Sequence, residues 1–62
     1  MYAIKTQDGR YYNGRASNGW NGNLTNDKAE AFQYGEAAAK FKVDTFNAYS
    51  KLHGFVFEVE AV

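Results

Sequence analysis

The sequence predicts an α+β fold: a three-stranded antiparallel sheet in the order 2-1-3, with one main helix packed on one face, in the chain order ββαβ. Three observations predict it. Tyr2–Gln7 and Arg10–Gly14 flank Asp8-Gly9, the strongest short hairpin signal in the chain. Glu36–Leu52 places apolar residues at helical spacing. Phe55–Val62 returns to strict alternation, as a final strand should. With 62 residues the chain suffices for a single domain spanning 1–62 and leaves no room for a second.

In the hairpin, Asp8-Gly9 is expected as the centre of a two-residue type I′ turn. That turn sets Gln7 opposite Arg10, Thr6 opposite Tyr11, Lys5 opposite Tyr12 and Ile4 opposite Asn13. Tyr2, Ile4, Thr6 and Tyr11 then share one face, and Lys5, Gln7, Arg10 and Tyr12 the other. Since Ile4 belongs inside, Tyr11 is expected in the core and Tyr12 on the surface.

Residues 15–23 repeat Asn-Gly and read as a loop, in which Trp20 is either a lid over the core edge or a contact residue. Asp27 and Glu30 have capping-box spacing, which predicts one short helical turn over Asp27–Ala31. Gly35 is expected to break the chain before the main helix, the alternative being one long helix from Asp27 kinked at Gly35.

On a helical wheel Phe41, Leu52, Thr45, Ala38, Ala48 and Ala37 fall within an arc of about 100°, with Tyr49 beside it, and form the expected core stripe. A second apolar set, Ala39, Val43 and Phe46, is rotated away from it. Glu36, Lys40, Asp44, Asn47 and Lys51 make a solvated face. One sheet covers roughly a third of a helix, so the second set has two possible fates. Either the helix rolls and the Trp20 loop covers Phe46, or Val43 and Phe46 form a patch for a partner or a second copy. Gly54 is expected as a left-handed cap, with His53 near the negative end of the helix dipole. In the last strand Phe55, Phe57, Val59 and Ala61 share one face. Val56, Glu58 and Glu60 share the other, where Lys5 and Arg10 lie across from the two acids on a face open to water.

Composition narrows the function. Seven basic and seven acidic residues cancel, which argues against generic electrostatic binding of nucleic acid. The absence of cysteine excludes disulfides and thiolate zinc sites. No stretch has the apolar length of a membrane span and no leader pattern is visible, so a cytoplasmic protein is expected. His53 is the sole histidine, and Glu58 with Glu60 is the one carboxylate pair, on a strand without a pocket. Acid–base chemistry needs an enclosed site, so neither catalysis nor a cofactor or metal is expected. Gly19-Trp20-Asn21-Gly22 lacks the flanking basic residues of backbone-clamping RNA loops. A single-strand platform of Tyr12, Arg10 and Lys5 is the alternative, opposed by the charge of Glu58 and Glu60.

The whole-chain pattern is Tyr2-x-Ile4-Lys5, Asp8-Gly9-x-Tyr11-Tyr12-x-Gly14, a lone Trp20, Asp27-Lys28-Ala29 through Phe32, Glu36-Ala37-Ala38 and a β-rich end. It resembles the small orphan proteins of phages, prophages and other mobile elements, among which anti-CRISPR inhibitors are prominent. The resemblance implies a compact, non-catalytic domain that binds a host effector complex, such as a CRISPR effector, and blocks it by occlusion in the host cytoplasm. Tyr12, Trp20, Val43 and Phe46 are the expected apolar anchors. Asp44, Glu58 and Glu60 are the acids expected to engage basic residues that otherwise hold DNA. The expected oligomeric state is a monomer or a weak homodimer joined through the helix patch or a sheet edge.

Overall fold

The computed structural model describes residues 1–15, 20–50 and 54–62, with 20, 21 and 50 as backbone alone. It contains β1 (Tyr2–Thr6), β2 (Tyr11–Tyr12), α1 (Trp20–Asn23), β3 (Leu24–Thr25), a 3₁₀ turn (Lys28–Glu30), α2 (Glu36–Ser50) and β4 (Phe57–Ala61). The strands form one antiparallel sheet in the order β3-β2-β1-β4. The sheet therefore has four strands where the sequence predicted three. The added strand follows directly on residues 15–23, the segment expected to be a loop, whose end instead forms α1; in it Leu24 pairs with Tyr12 and Thr25 with Tyr11. No helix of the described residues is long and apolar enough to cross a membrane.

The hairpin forms, with a different turn. Gly9 N–H donates to Thr6 O at 3.0 Å and Thr6 N–H donates to Arg10 O at 2.8 Å, which closes a three-residue loop of Gln7, Asp8 and Gly9. Only Gly9 has positive φ, +85°, whereas a type I′ turn would also need it at Asp8. A threonine before the turn tips the balance. The buried Thr6 hydroxyl bonds Asp8 and accepts from Arg10 N–H at 3.2 Å, so side chains brace the longer loop. The Thr6 hydroxyl, and after it Arg10, hold the Asp8 carboxyl below its usual range.

This one-residue shift sets Lys5, rather than Thr6, opposite Tyr11. Because strand side chains alternate, every residue of β2 changes face. Tyr12 packs against the core beside Ile4 and Leu24, and Tyr11 joins Lys5 on the opposite face. The expectation of a core Tyr11 and an exposed Tyr12 is thus inverted.

After β3 the chain turns back across the sheet. The Asp27 side chain accepts from Ala29 N–H at 2.9 Å, as a cap should, but Thr25 Oγ1 receives the Asp27 N–H at 3.1 Å in place of Glu30. Phe32 N–H donates to Tyr12 O at 2.9 Å, and Tyr34 and Tyr2 exchange two backbone bonds of 2.8 Å. Residues 32–34 so continue the short β2 beside the start of β1. Gly14, at φ +77°, allows this approach, since a Cβ there would collide with the Phe32 ring.

The core consists of Ala3, Ile4, Leu24, Ala39, Phe57 and the polar Thr6. Tyr12, Tyr34, Val43, Phe46 and Phe55 pack around it. The two stripes of α2 therefore exchange roles. Ala39, Val43 and Phe46 face the sheet, while Ala37, Ala38, Phe41, Ala48 and Tyr49 are exposed. Phe46 supplies the physical reason: its ring lies 4.9 Å from Tyr12 and 5.3 Å from Phe57, an edge-and-tilt arrangement that alanine methyls cannot replace. Asn47 fixes the roll further. Its amide donates to Phe57 O at 3.1 Å and its Oδ1 accepts from Phe57 N–H at 2.7 Å. Gly54 has the expected left-handed φ of +78°, whereas Leu52 and His53 lie outside the described residues.

Candidate functional site

Of the residues expected to meet a partner, three lie inward. Tyr12, Val43 and Phe46 are part of the packing around Ile4, Leu24 and Phe57, so they hold α2 to the sheet. The argument that an uncovered second stripe leaves Val43 and Phe46 free is overturned by that packing. Trp20 opens α1, and its side chain lies outside the described residues. Asp44 is exposed on α2, Glu58 is exposed on β4, and Glu60 is half-buried.

The two glutamates point to the sheet face opposite α2, and the acid furthest along β4 gathers a cluster there. Tyr11 OH donates to Glu60 Oε2 at 2.7 Å, Lys5 Nζ lies 3.2 Å from Oε1, and Lys28 Nζ lies 3.4 Å from Oε2. Lys5 also reaches Glu58 Oε1 at 3.5 Å. The hydrogen bond from Tyr11, then those from Lys5 and Lys28, hold the Glu60 carboxyl below its ordinary value. In return Glu60 raises Lys5 and, by accepting its hydroxyl hydrogen, Tyr11. Glu60 is thus a fixed anion near neutral pH, suited to holding β1, β2, β4 and the 3₁₀ turn together and unsuited to shuttling protons. This face is also less open than expected, since Ala3, which shares it, is wholly buried.

The same geometry separates the members of the single-strand platform. Tyr12 packs toward α2, Lys5 lies on the other face, and Arg10 is held by Asp8 at 2.9 Å and stands over the Phe55 ring at 5.4 Å. A continuous stacking surface of Tyr12, Arg10 and Lys5 is not formed.

Among the described residues, the outer face of α2 carries the two most exposed aromatic rings. Phe41 and Tyr49 are 70% and 71% exposed, two turns apart, among the exposed Ala37, Ala38 and Ala48. Thr45 between them turns its hydroxyl inward to Phe41 O at 3.0 Å, which leaves its methyl as part of the apolar strip. Lys40 and Asp44 line one flank, Lys40 being paired with Glu36 at 3.1 Å. The sequence carries a signal for this surface, because these residues were recognisable as one stripe. Which way the stripe faces depends on contacts distant in sequence.

Comparison of the chain with protein-family models, with curated proteins and with solved structures gives no match in any of the three.

Proposed function

We propose that this protein is a stoichiometric protein-binding inhibitor that docks on its target through the outer face of α2 and acts by occlusion. The observation that carries the reading is the placement of Phe41 and Tyr49, both largely exposed, on a helix whose opposite face is anchored by Phe46 and Asn47. Exposed aromatics on a rigid element cost little ordering entropy on binding and are the residue type that dominates interface energetics. The resemblance to small mobile-element proteins favours a host defence complex of the CRISPR effector type as target. Asp44, on the flank of the same helix, is the acid placed to meet basic residues that otherwise hold DNA.

The test mixes the purified chain with reconstituted CRISPR effector complexes and follows co-elution and target-DNA binding. Co-elution at a fixed ratio with loss of DNA binding is the expected result, reversed by Phe41→Ala combined with Tyr49→Ala. Failure to co-elute with the effectors removes the proposed target class. Inhibition that survives the double substitution removes the α2 face as the site.

A further inference from the structure

A second surface lies at the edge of β4, the outer strand on its side of the sheet, beside which no strand of the described residues pairs. Val62 N–H donates to Met1 O at 3.0 Å and Gln7 N–H to Val56 O at 3.1 Å, so residues of even number in this segment bond inward to β1. By the alternation of an antiparallel ladder, the backbone groups of Phe57, Val59 and Ala61 point outward. Both groups of Phe57 are taken by the Asn47 amide, which imitates a neighbouring strand at that one position. Beyond this plug, Val59 and Ala61 present the donors and acceptors on which another strand can pair.

Charge decides what kind of strand fits. Asp44 is one helical turn before Asn47 and therefore shares the flank of α2 that overlooks the β4 edge. It is exposed and has no ion pair among the described residues, its neighbour Lys40 being held by Glu36. On the other side of the sheet the Glu58 side chain is 65% exposed, and the lysine it shares stands nearer to Glu60. An added strand thus meets one carboxylate on each of its faces. A second copy of this chain is a poor occupant: pairing about Val59 sets Glu58 opposite the other copy's Glu60, and like charges directly opposite destabilise a ladder.

We propose that the outer edge of β4 takes an extended segment of another protein as an added strand, with Lys or Arg side chains on both faces, one for Asp44 and one for Glu58. This surface adjoins the outer face of α2, with which it shares Asp44, and goes beyond the reading given there. Glu58 belongs to the β4 edge alone, so Glu58→Gln tests it independently of that reading. Neighbouring strand residues point to opposite faces, so the fitting segment carries its two basic residues at positions of opposite parity.

The experiment titrates the isotope-labelled full chain with a short synthetic peptide of alternating Thr and Val bearing two adjacent arginines, read by amide shifts and hydrogen exchange. In the free protein the Val59 and Ala61 amides should exchange freely; with peptide they should become protected, with shifts running along β4 to Asn47. Asp44→Asn and Glu58→Gln should each weaken binding about two- to fivefold, the span of exposed ion pairs. The same peptide with glutamates in place of the arginines should not bind. Protected Val59 and Ala61 amides in the free protein, shifts centred on Phe41 and Tyr49, equal binding of the glutamate peptide, or no shifts at millimolar peptide would each overturn the proposal.

Discussion

On the inner side of α2, Ala39 is wholly buried and Phe46 stacks between Tyr12 and Phe57. On the outer side, Phe41 and Tyr49 stay largely in water. Each side carries aromatic rings and alanines, and the outer one has more apolar residues. The number of apolar groups therefore does not select the buried face. Selection comes from what the sheet offers: Tyr12, Phe55 and Phe57 form an uneven aromatic floor that a single ring from above can fill. A row of methyls would leave voids, and voids forfeit contact energy.

The largest expected effect tests that selection directly. Phe46→Ala should destabilise the fold by about 3 kcal/mol, the low end for aromatic truncation because the ring is partly buried. In a chain this small such a loss takes most of the stability. Urea unfolding of the variant beside Phe41→Ala provides the measurement; a greater loss from Phe41→Ala would reverse the assignment of inner and outer faces.

Asn47 sharpens the contrast, because a polar residue shares the work of setting the helix roll. Asn47→Ala removes both bonds to Phe57 and should cost about 1–2 kcal/mol, softened by water reaching the strand edge. Faster exchange of the Phe57 amide, read by NMR, should accompany the loss. Unchanged exchange would show that the amide plug is not what protects that position.

How much of this was legible follows from where each signal resides. The alternation in Phe57–Ala61 assigns these residues to the correct sheet faces, because strand faces follow from local pattern alone, although Ala61 at the strand end is exposed and Glu60 is half-buried. The hairpin was likewise legible as a hairpin. Its register was not, because Asp8-Gly9 serves two turns that differ by one residue, and the Thr6 hydroxyl decides between them. From that single residue follow the inversion of Tyr11 and Tyr12 and the loss of the Tyr12, Arg10, Lys5 platform. β3 escaped for another reason: two residues carry no period, and Leu24 is a strand residue only because Tyr12 lies beside it. The orientation of α2 inherits the same dependence, since Tyr12 on the helix side supplies half of the Phe46 contact.

The Glu60 cluster allows a subtler test of the opposite sheet face. Its carboxyl is lowered in the folded state, so its contribution is complete above the ordinary carboxylate value and is lost as pH falls through the lowered one. Lys5 and Tyr11 are raised, so theirs are complete below their ordinary values and are lost as pH rises through the raised ones. Glu60→Gln should therefore flatten both the acid and the alkaline limbs of a plot of thermal midpoint against pH. A variant with the wild-type profile would mean the cluster is equally formed in the unfolded chain.

The smallest expected effect on stability is the most informative about function. Phe41→Ala and Tyr49→Ala should each shift unfolding free energy by no more than about 0.5 kcal/mol, because neither ring touches the core and truncation leaves no cavity. If the outer face docks on a partner, the same substitutions should each cost about 2 kcal/mol of binding, close to thirtyfold in Kd. Such a split, neutral for folding and severe for binding, separates a recognition face from a structural one. Sedimentation across a concentration range identifies the occupant: a dimer abolished by the double substitution assigns the face to a second copy, and a monomer leaves it free for a different protein.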